Sequence, residues 1–136
     1  MAYSTQMLTT VIDCDTVLTI ANKEKEDLDF RKLSLERQKD NATDNSVEID
    51  TELAAVNAEI TALNAVVAGL PDGVIKTDTQ NKIVKLEYRK FLLTTRKTNY
   101  GSVSLVEKEY ELACTELALT ETNAFIAAVT ARKAEL

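Results

Sequence analysis

Large aliphatic residues recur between Ile49 and Leu70 at alternating intervals of four and three residues. The set comprises Ile49, Leu53, Val56, Ile60, Leu63, Val67 and Leu70. Because an α-helix completes a turn about every 3.6 residues, this spacing places all of them in one narrow stripe. One neighbouring helix is enough to bury such a stripe, as in a coiled coil. The pattern therefore predicts a helix that pairs along its length with a single partner.

Residues that break helices are concentrated directly after this stripe. The chain has one proline and three glycines, and the proline and two of the glycines lie within Gly69–Gly73. Glycine and proline end helices, and Asp-Gly favours a turn. Thr77 stands three residues before Gln80, which is the spacing of a capping box that starts a new helix. We therefore expect the tip of a helical hairpin at residues 70–76.

The apolar spacing along the whole chain predicts four helices. Their expected ranges are about 5–41, 45–69, 78–99 and 103–134. The predicted fold class is all-α, as a single domain over residues 1–136 that forms an antiparallel up-down four-helix bundle. The alternative is a long two-helix antiparallel coiled-coil hairpin with kinks near residues 43 and 101. Residues that end and start helices occur near positions 43 and 101, and they favour the bundle. The alternating spacing of four and three residues continues through the region near 43, which favours the hairpin.

The charge distribution indicates which helices pair. Residues 40–72 contain no Lys or Arg, whereas residues 73–100 contain seven basic residues and two acidic ones. An antiparallel arrangement with its pivot at Asp72 brings the acidic segment against the basic one. This register sets two pairs opposite each other: Glu48 with Arg96, and Glu59 with Lys85.

One surface stands out as a candidate for interaction with a partner. Lys and Arg residues between positions 82 and 97 alternate with Tyr88 and Phe91, and apolar residues flank the predicted turn. The candidate residues are Leu70, Val74, Lys82, Lys85, Arg89 and Lys90. Intramolecular pairing with the acidic helix explains the basic residues as well, so the pattern alone leaves both interpretations open.

Composition excludes several kinds of site. The chain has no histidine, which removes Ser-His-Asp and Cys-His catalytic systems and the common zinc motifs. It also has no glycine-rich phosphate loop. We therefore expect no catalytic residues, no cofactor and no metal, and a protein that is not an enzyme. The two cysteines, Cys14 and Cys114, are expected to be small buried residues without a disulfide between them.

The net charge of −6 and an isoelectric point near 4.7 argue against nucleic acid as a partner. No apolar run approaches the roughly 20 residues that span a bilayer, and the N-terminus lacks the features of a signal peptide. The sequence thus predicts no membrane span. The expected location is the cytoplasm, or a particle assembled there.

Long amphipathic helices without site chemistry favour a structural or assembly protein. Such a protein self-associates, or docks through its helices within a larger complex such as a phage particle or a secretion machine. The alternative is a small acidic helical binding module, such as a chaperone, adaptor or immunity-type inhibitor, for a basic protein partner.

Overall fold

The computed structural model describes residues 2–136, and it is built from helices. A short 3₁₀ helix, Thr5–Met7, precedes three α-helices: α1 (Val11–Ala68), α2 (Val74–Tyr100) and α3 (Ser102–Ala134). Residues 2–136 contain no β-strand, and the predicted all-α class is confirmed. The chain divides into two compact units. The terminal unit consists of the residues up to Gln38 together with Lys108–Leu136, and the turn unit is Lys39–Glu107.

Helix α1 corrects the predicted division of the first half of the chain. Residues 42–44 were expected to separate two helices, but α1 continues through them without interruption. Its buried side chains explain the difference, because Ala42, Ser46 and Ile49 all lie inside, with Ile49 fully inaccessible. Asn and Asp lower helix propensity by less than about 1 kcal/mol each, which is less than the roughly 1.5–3 kcal/mol gained by burying an isoleucine. The local stop signals are therefore overridden by packing.

A 4-3 pattern of buried and half-buried residues extends along nearly the whole of α1. Its members are Cys14, Leu18, Ala21, Lys25, Leu28, Lys32, Leu35, Lys39, Ala42, Ser46, Ile49, Leu53, Val56, Ile60, Leu63 and Val67. These residues occupy the a and d positions of a seven-residue coiled-coil repeat, and we call them the seam of α1. The sequence prediction located the aliphatic second half of this seam, whereas lysines occupy three seam positions of the first half.

The start of α1 also differs from the prediction, which placed the beginning of the first helix at about residue 5. Ser4 precedes only the 3₁₀ turn, and its side chain makes no capping hydrogen bond. The cap of α1 is Thr10, whose hydroxyl accepts a hydrogen bond from the backbone N–H of Asp13 at 3.1 Å. A threonine at this position satisfies one of the free N–H groups of the first turn, and Asp13 complements the positive end of the helix dipole.

The turn after α1 is shorter than the sequence indicated. Helix α2 begins at Val74 rather than near residue 78, so Thr77 lies within its first turn and does not cap it. The backbone N–H of Thr77 donates instead to the carbonyl oxygen of Gly73 at 3.1 Å. Gly73 has a φ of 157° and a ψ of −171°, a backbone conformation that glycine adopts more readily than other residues.

Gly101 separates α2 from α3 and is buried. The seam of α2 contains Lys76, Thr79, Ile83, Leu86, Lys90, Leu93 and Lys97, and that of α3 continues from Leu105. Lys97 and Leu105 are eight residues apart instead of seven. One additional residue rotates a helix by about 100°, which would turn the following seam away from its partner. A break at Gly101 takes up the additional residue, while hydrogen bonds from Gly101 to Lys97 and from Leu105 to Gly101 bridge it.

Within the turn unit, α2 runs antiparallel to the second half of α1. Val56 and Ile60 of α1 form an apolar cluster with Leu93 of α2. Two ion pairs join the same helices: Arg89 with Glu52 at 3.4 Å, and Lys97 with Asp50 at 3.0 Å. Both partners lie within about one helical turn of the residue that a pivot at Asp72 sets opposite, so the predicted antiparallel register is approximately right.

In the terminal unit, the N-terminal segment and the start of α1 contact the second half of α3. Tyr3 donates a hydrogen bond to Glu121, and its ring lies 4.8 Å from that of Phe125. Arg132 donates through Nε to the carbonyl oxygen of Leu8 at 3.0 Å. These contacts tie the chain preceding α1 to α3.

Candidate interaction surface

The predicted interaction residues fall into two groups in the turn unit. Val74, Lys82 and Lys85 are exposed, with Val74 at 76% of its full accessibility. Leu70 and Lys90 are half-buried on the inner side, and Lys90 is a member of the α2 seam. Lys90 therefore faces α1 more than an outer surface, and Leu70 is partly covered.

Arg89, the sixth predicted residue, is used within the chain by its ion pair with Glu52. The predicted pairs of Glu48 with Arg96 and Glu59 with Lys85 do not form within the described chain. All four side chains are exposed. The turn unit thus presents two carboxylates along α1 and several cations along α2 that no ion pair among residues 2–136 neutralises.

A row of large apolar side chains lies on the outward side of α2. Val84, Tyr88 and Phe91 are 66%, 63% and 64% exposed, and they are spaced by four and three residues. Relative to the seam they occupy the outward b and f positions, which are usually polar when a helix has one partner. Thr95 continues the row, which we call the α2 stripe. Tyr88 and Phe91 were noted in the sequence, but only the position of the seam shows that they point outward together.

Helix α1 carries a corresponding row in the turn unit. Its exposed b and f positions are Val47, Thr51, Ala54, Ala58, Thr61, Ala65 and Ala68. No member carries a charge, and all except Val47 are small. We call this row the α1 stripe. Sequence reasoning missed it, because alanine and threonine give a weak hydrophobic signal and the row is visible only by reference to the seam.

The terminal unit has a third such row, on α3. Its exposed positions are Tyr110, Ala113, Leu117, Thr120, Ala124, Ala127 and Ala131. Tyr110 and Leu117 are each 71% exposed. Hydrogen bonding and charge interaction with the neighbouring Cys114 side chain raise the pKa of Tyr110, and desolvation adds to the effect. Cys14 is fully buried, as expected, but Cys114 is exposed, contrary to the expectation for both cysteines. Both thiols are free.

The described residues of the terminal unit form open grooves, and the described chain lacks a cluster of metal-ligating side chains. The grooves of the terminal unit have volumes of about 240 to 310 Å³ and are open to solvent. The groove of about 310 Å³ is bordered by one ionisable residue, Glu24. Residues 2–136 contain no group of three or more Cys, Asp or Glu side chains arranged to hold a metal ion.

One stretch is apolar enough to be compared with a membrane span. The residues from Val74 to Ala134 include an 18-residue window with a mean hydropathy of 1.2, of which 22% is buried. Length and composition are the only criteria that this window meets, and the core helix of a water-soluble protein meets them too. The absence of a membrane span therefore stays a prediction.

Comparison with known proteins adds no family or relative to these observations. No protein-family model matches the chain, and neither a curated protein nor a solved structure matches it significantly.

Proposed function

We propose that this chain is a non-catalytic structural or assembly protein. It acts through its helices, by self-association or by docking within a larger complex such as a phage particle or a secretion machine. The observation that carries this proposal is the set of outward stripes on α1, α2 and α3, which expose apolar residues on helices whose seams are already buried or half-buried. A helix that is apolar on two faces has more surface to bury than one neighbour covers.

The arrangement proposed for the whole fold is the two-helix antiparallel hairpin with its tip at residues 70–76. A four-helix bundle requires the chain to reverse near residue 43, and α1 is helical throughout that region. The kink expected near residue 101 corresponds to the break at Gly101. A hairpin leaves outer helix faces uncovered, which is consistent with a protein that assembles.

A second candidate function is an acidic binding module for a basic protein partner. The exposed carboxylates of Glu48 and Glu59 and the net charge of −6 favour it. Such a module would remain a monomer alone and would bind its partner with an affinity that falls steeply as salt is added. The exposed apolar stripes are not needed for that behaviour.

Light scattering over a concentration series distinguishes the two functions. An assembly protein is expected to show masses that rise from 15.0 kDa to a multiple of that value. Substituting Phe91 by Ser on the α2 stripe should shift this transition to higher concentration without changing the helical circular dichroism. A wild-type chain that stays monomeric at every concentration, with or without salt, contradicts self-association and leaves docking on a different protein as the function to test.

A further inference from the structure

The α1 and α2 stripes lie on different helices of the turn unit, and each points away from the other helix. This follows from their b and f positions, since the a and d positions of both helices face each other across the seam. The turn unit therefore has two outward apolar surfaces, one on each helix. A partner that covers one of them leaves the other free.

The two stripes are complementary in size. The α2 stripe presents the large side chains of Val84, Tyr88 and Phe91. The central positions of the α1 stripe are Ala54, Ala58 and Thr61, whose small side chains leave room between the flanking residues. Alternation of large and small residues is what allows two helix faces to interdigitate at the density of a protein interior.

The helices that carry the two stripes also have opposite net charge. Residues 40–72 contain no Lys or Arg, whereas residues 73–100 contain seven basic residues against two acidic ones. The exposed charges that matter here are Glu48 and Glu59 on α1, and Lys82, Lys85 and Arg96 on α2. All five are exposed, and none takes part in an ion pair with another described residue. When the α1 stripe meets the α2 stripe of another copy, an acidic helix meets a helix of net positive charge.

Contact between like stripes lacks both forms of complementarity. A two-fold interface joins a surface to itself. Two α2 stripes would bring Tyr88 and Phe91 against the same bulky residues and Lys85 near a second Lys85, whereas two α1 stripes would bring carboxylates together over a poorly filled contact. Like charges placed opposite each other disfavour such a pairing.

We propose that the turn unit associates head to tail, with the α2 stripe of one copy packed against the α1 stripe of the next. This inference rests on the proposed assembly function and names the partner as a second copy of the chain. Since the α1 stripe and the α2 stripe are different surfaces, each copy that is added still has one of them free. A heterologous contact of this kind produces a closed ring or an open filament, according to the rotation between neighbours.

Two variants that each block one surface test the proposal. Ala58→Arg places a bulky cation in the α1 stripe, where it faces the net positive α2 of the next copy. Tyr88→Glu removes the central aromatic ring and places a carboxylate opposite the acidic α1 of the next copy. Both positions are exposed on α-helices, and Arg and Glu are good helix formers. Circular dichroism and thermal unfolding of the isolated variants establish that each retains the wild-type fold.

Sedimentation velocity of the separate and mixed variants gives the decisive result. Each variant alone is expected to weaken self-association at least 10-fold and to sediment as a monomer where the wild type forms larger species. An equimolar mixture is expected to form a 1:1 complex and nothing larger, since the free α2 stripe of Ala58→Arg fits the free α1 stripe of Tyr88→Glu. Lys23→Glu, which adds the same carboxylate at an exposed outward position of the terminal unit, serves as the control and should assemble like the wild type.

Failure of this inference and failure of the proposed function give different results. If the wild type assembles but the mixture stays monomeric, or if either variant alone still forms the wild-type oligomer, the head-to-tail contact is wrong and the assembly function stands. If the wild type itself is monomeric at all concentrations, both the head-to-tail contact and self-association are overturned.

Discussion

The phenol of Tyr3 donates a hydrogen bond to the carboxylate of Glu121, 118 residues later in the chain. The contact fixes the N-terminal segment beside α3, and the tilted packing of the Tyr3 ring on Phe125 supports it. Together with the hydrogen bond from Arg132 to the Leu8 carbonyl, it attaches the segment before α1 to α3 at two places.

We predict that this attachment is lost at alkaline pH. The hydrogen bond to Glu121 raises the pKa of Tyr3 above 10.0, with desolvation and the carboxylate charge adding to the effect. A group whose pKa is raised by folding contributes its full stabilisation below its unfolded value, and the contribution disappears as pH increases through the folded value. Phenolate absorbance of the wild type minus that of Tyr3→Phe should therefore show a transition above pH 10.0. In Glu121→Gln the transition should return toward the ordinary pKa, and a wild-type transition already at that value would contradict the contact.

We predict that Gly101→Ala destabilises the fold by about 1–3 kcal/mol, the range for inserting a methyl group where there is no space. A Cβ at this position would lie 2.8 Å from the carbonyl oxygen of Lys97, which is backbone and cannot move aside easily. Gly69→Ala is the matched control, because its Cβ would meet nothing closer than 3.8 Å. Urea unfolding of both variants measures the difference. Deletion of Gly101, which restores the seven-residue interval between Lys97 and Leu105, should cost less than the alanine substitution.

We predict that the middle of α1 depends on Ile49. Its side chain is fully buried, in the region where the sequence indicated a break. Ile49→Ala should lower the free energy of unfolding by about 2–4 kcal/mol, and Ile49→Val by about 1 kcal/mol. Val47→Ala, two residues away and 63% exposed, should change it by less than about 0.5 kcal/mol at concentrations where the chain is monomeric. Equal effects at the two positions would contradict the assignment of the seam.

We predict that the ion pair of Arg89 with Glu52 contributes little to stability. Arg89 is 59% exposed and the atoms are 3.4 Å apart, so the coupling should be about 0.2–1 kcal/mol and should decrease with added salt. A double-mutant cycle with Arg89→Ala and Glu52→Ala measures it. A larger, salt-independent coupling would contradict the exposure of Arg89 in this structure.

The pairing of α1 with α2 could be predicted from the sequence, whereas the predicted helix ends were wrong. The aliphatic seam from Ile49 onward and the opposite charges around Asp72 both pointed to the antiparallel pair. The break expected near Thr43 is absent because local propensity amounts to fractions of a kcal/mol, whereas the burial of Ile49 is a larger tertiary effect. Burial of this kind depends on tertiary neighbours that no local window of sequence contains.

The candidate surface was predictable in part for a similar reason. The exposure of Lys82, Lys85 and Val74 agrees with the sequence interpretation, whereas Lys90 lies in the seam. Alanines such as Ala54 and Ala58 gave no signal in the sequence. Their importance appears only when the seam fixes which positions face outward.

The regular seam of the turn unit restricts the lengths that its pair of helices can have. A step of seven residues, about 10.5 Å, can be added to or removed from α1 and α2 together without changing which side chains meet. A change of any other size rotates one helix relative to the other and needs a compensating defect, of which Gly101 is an example already present in this chain. Homologous hairpins of different length should therefore differ by whole heptads on each side of the turn, or carry a glycine or another helix break where they do not.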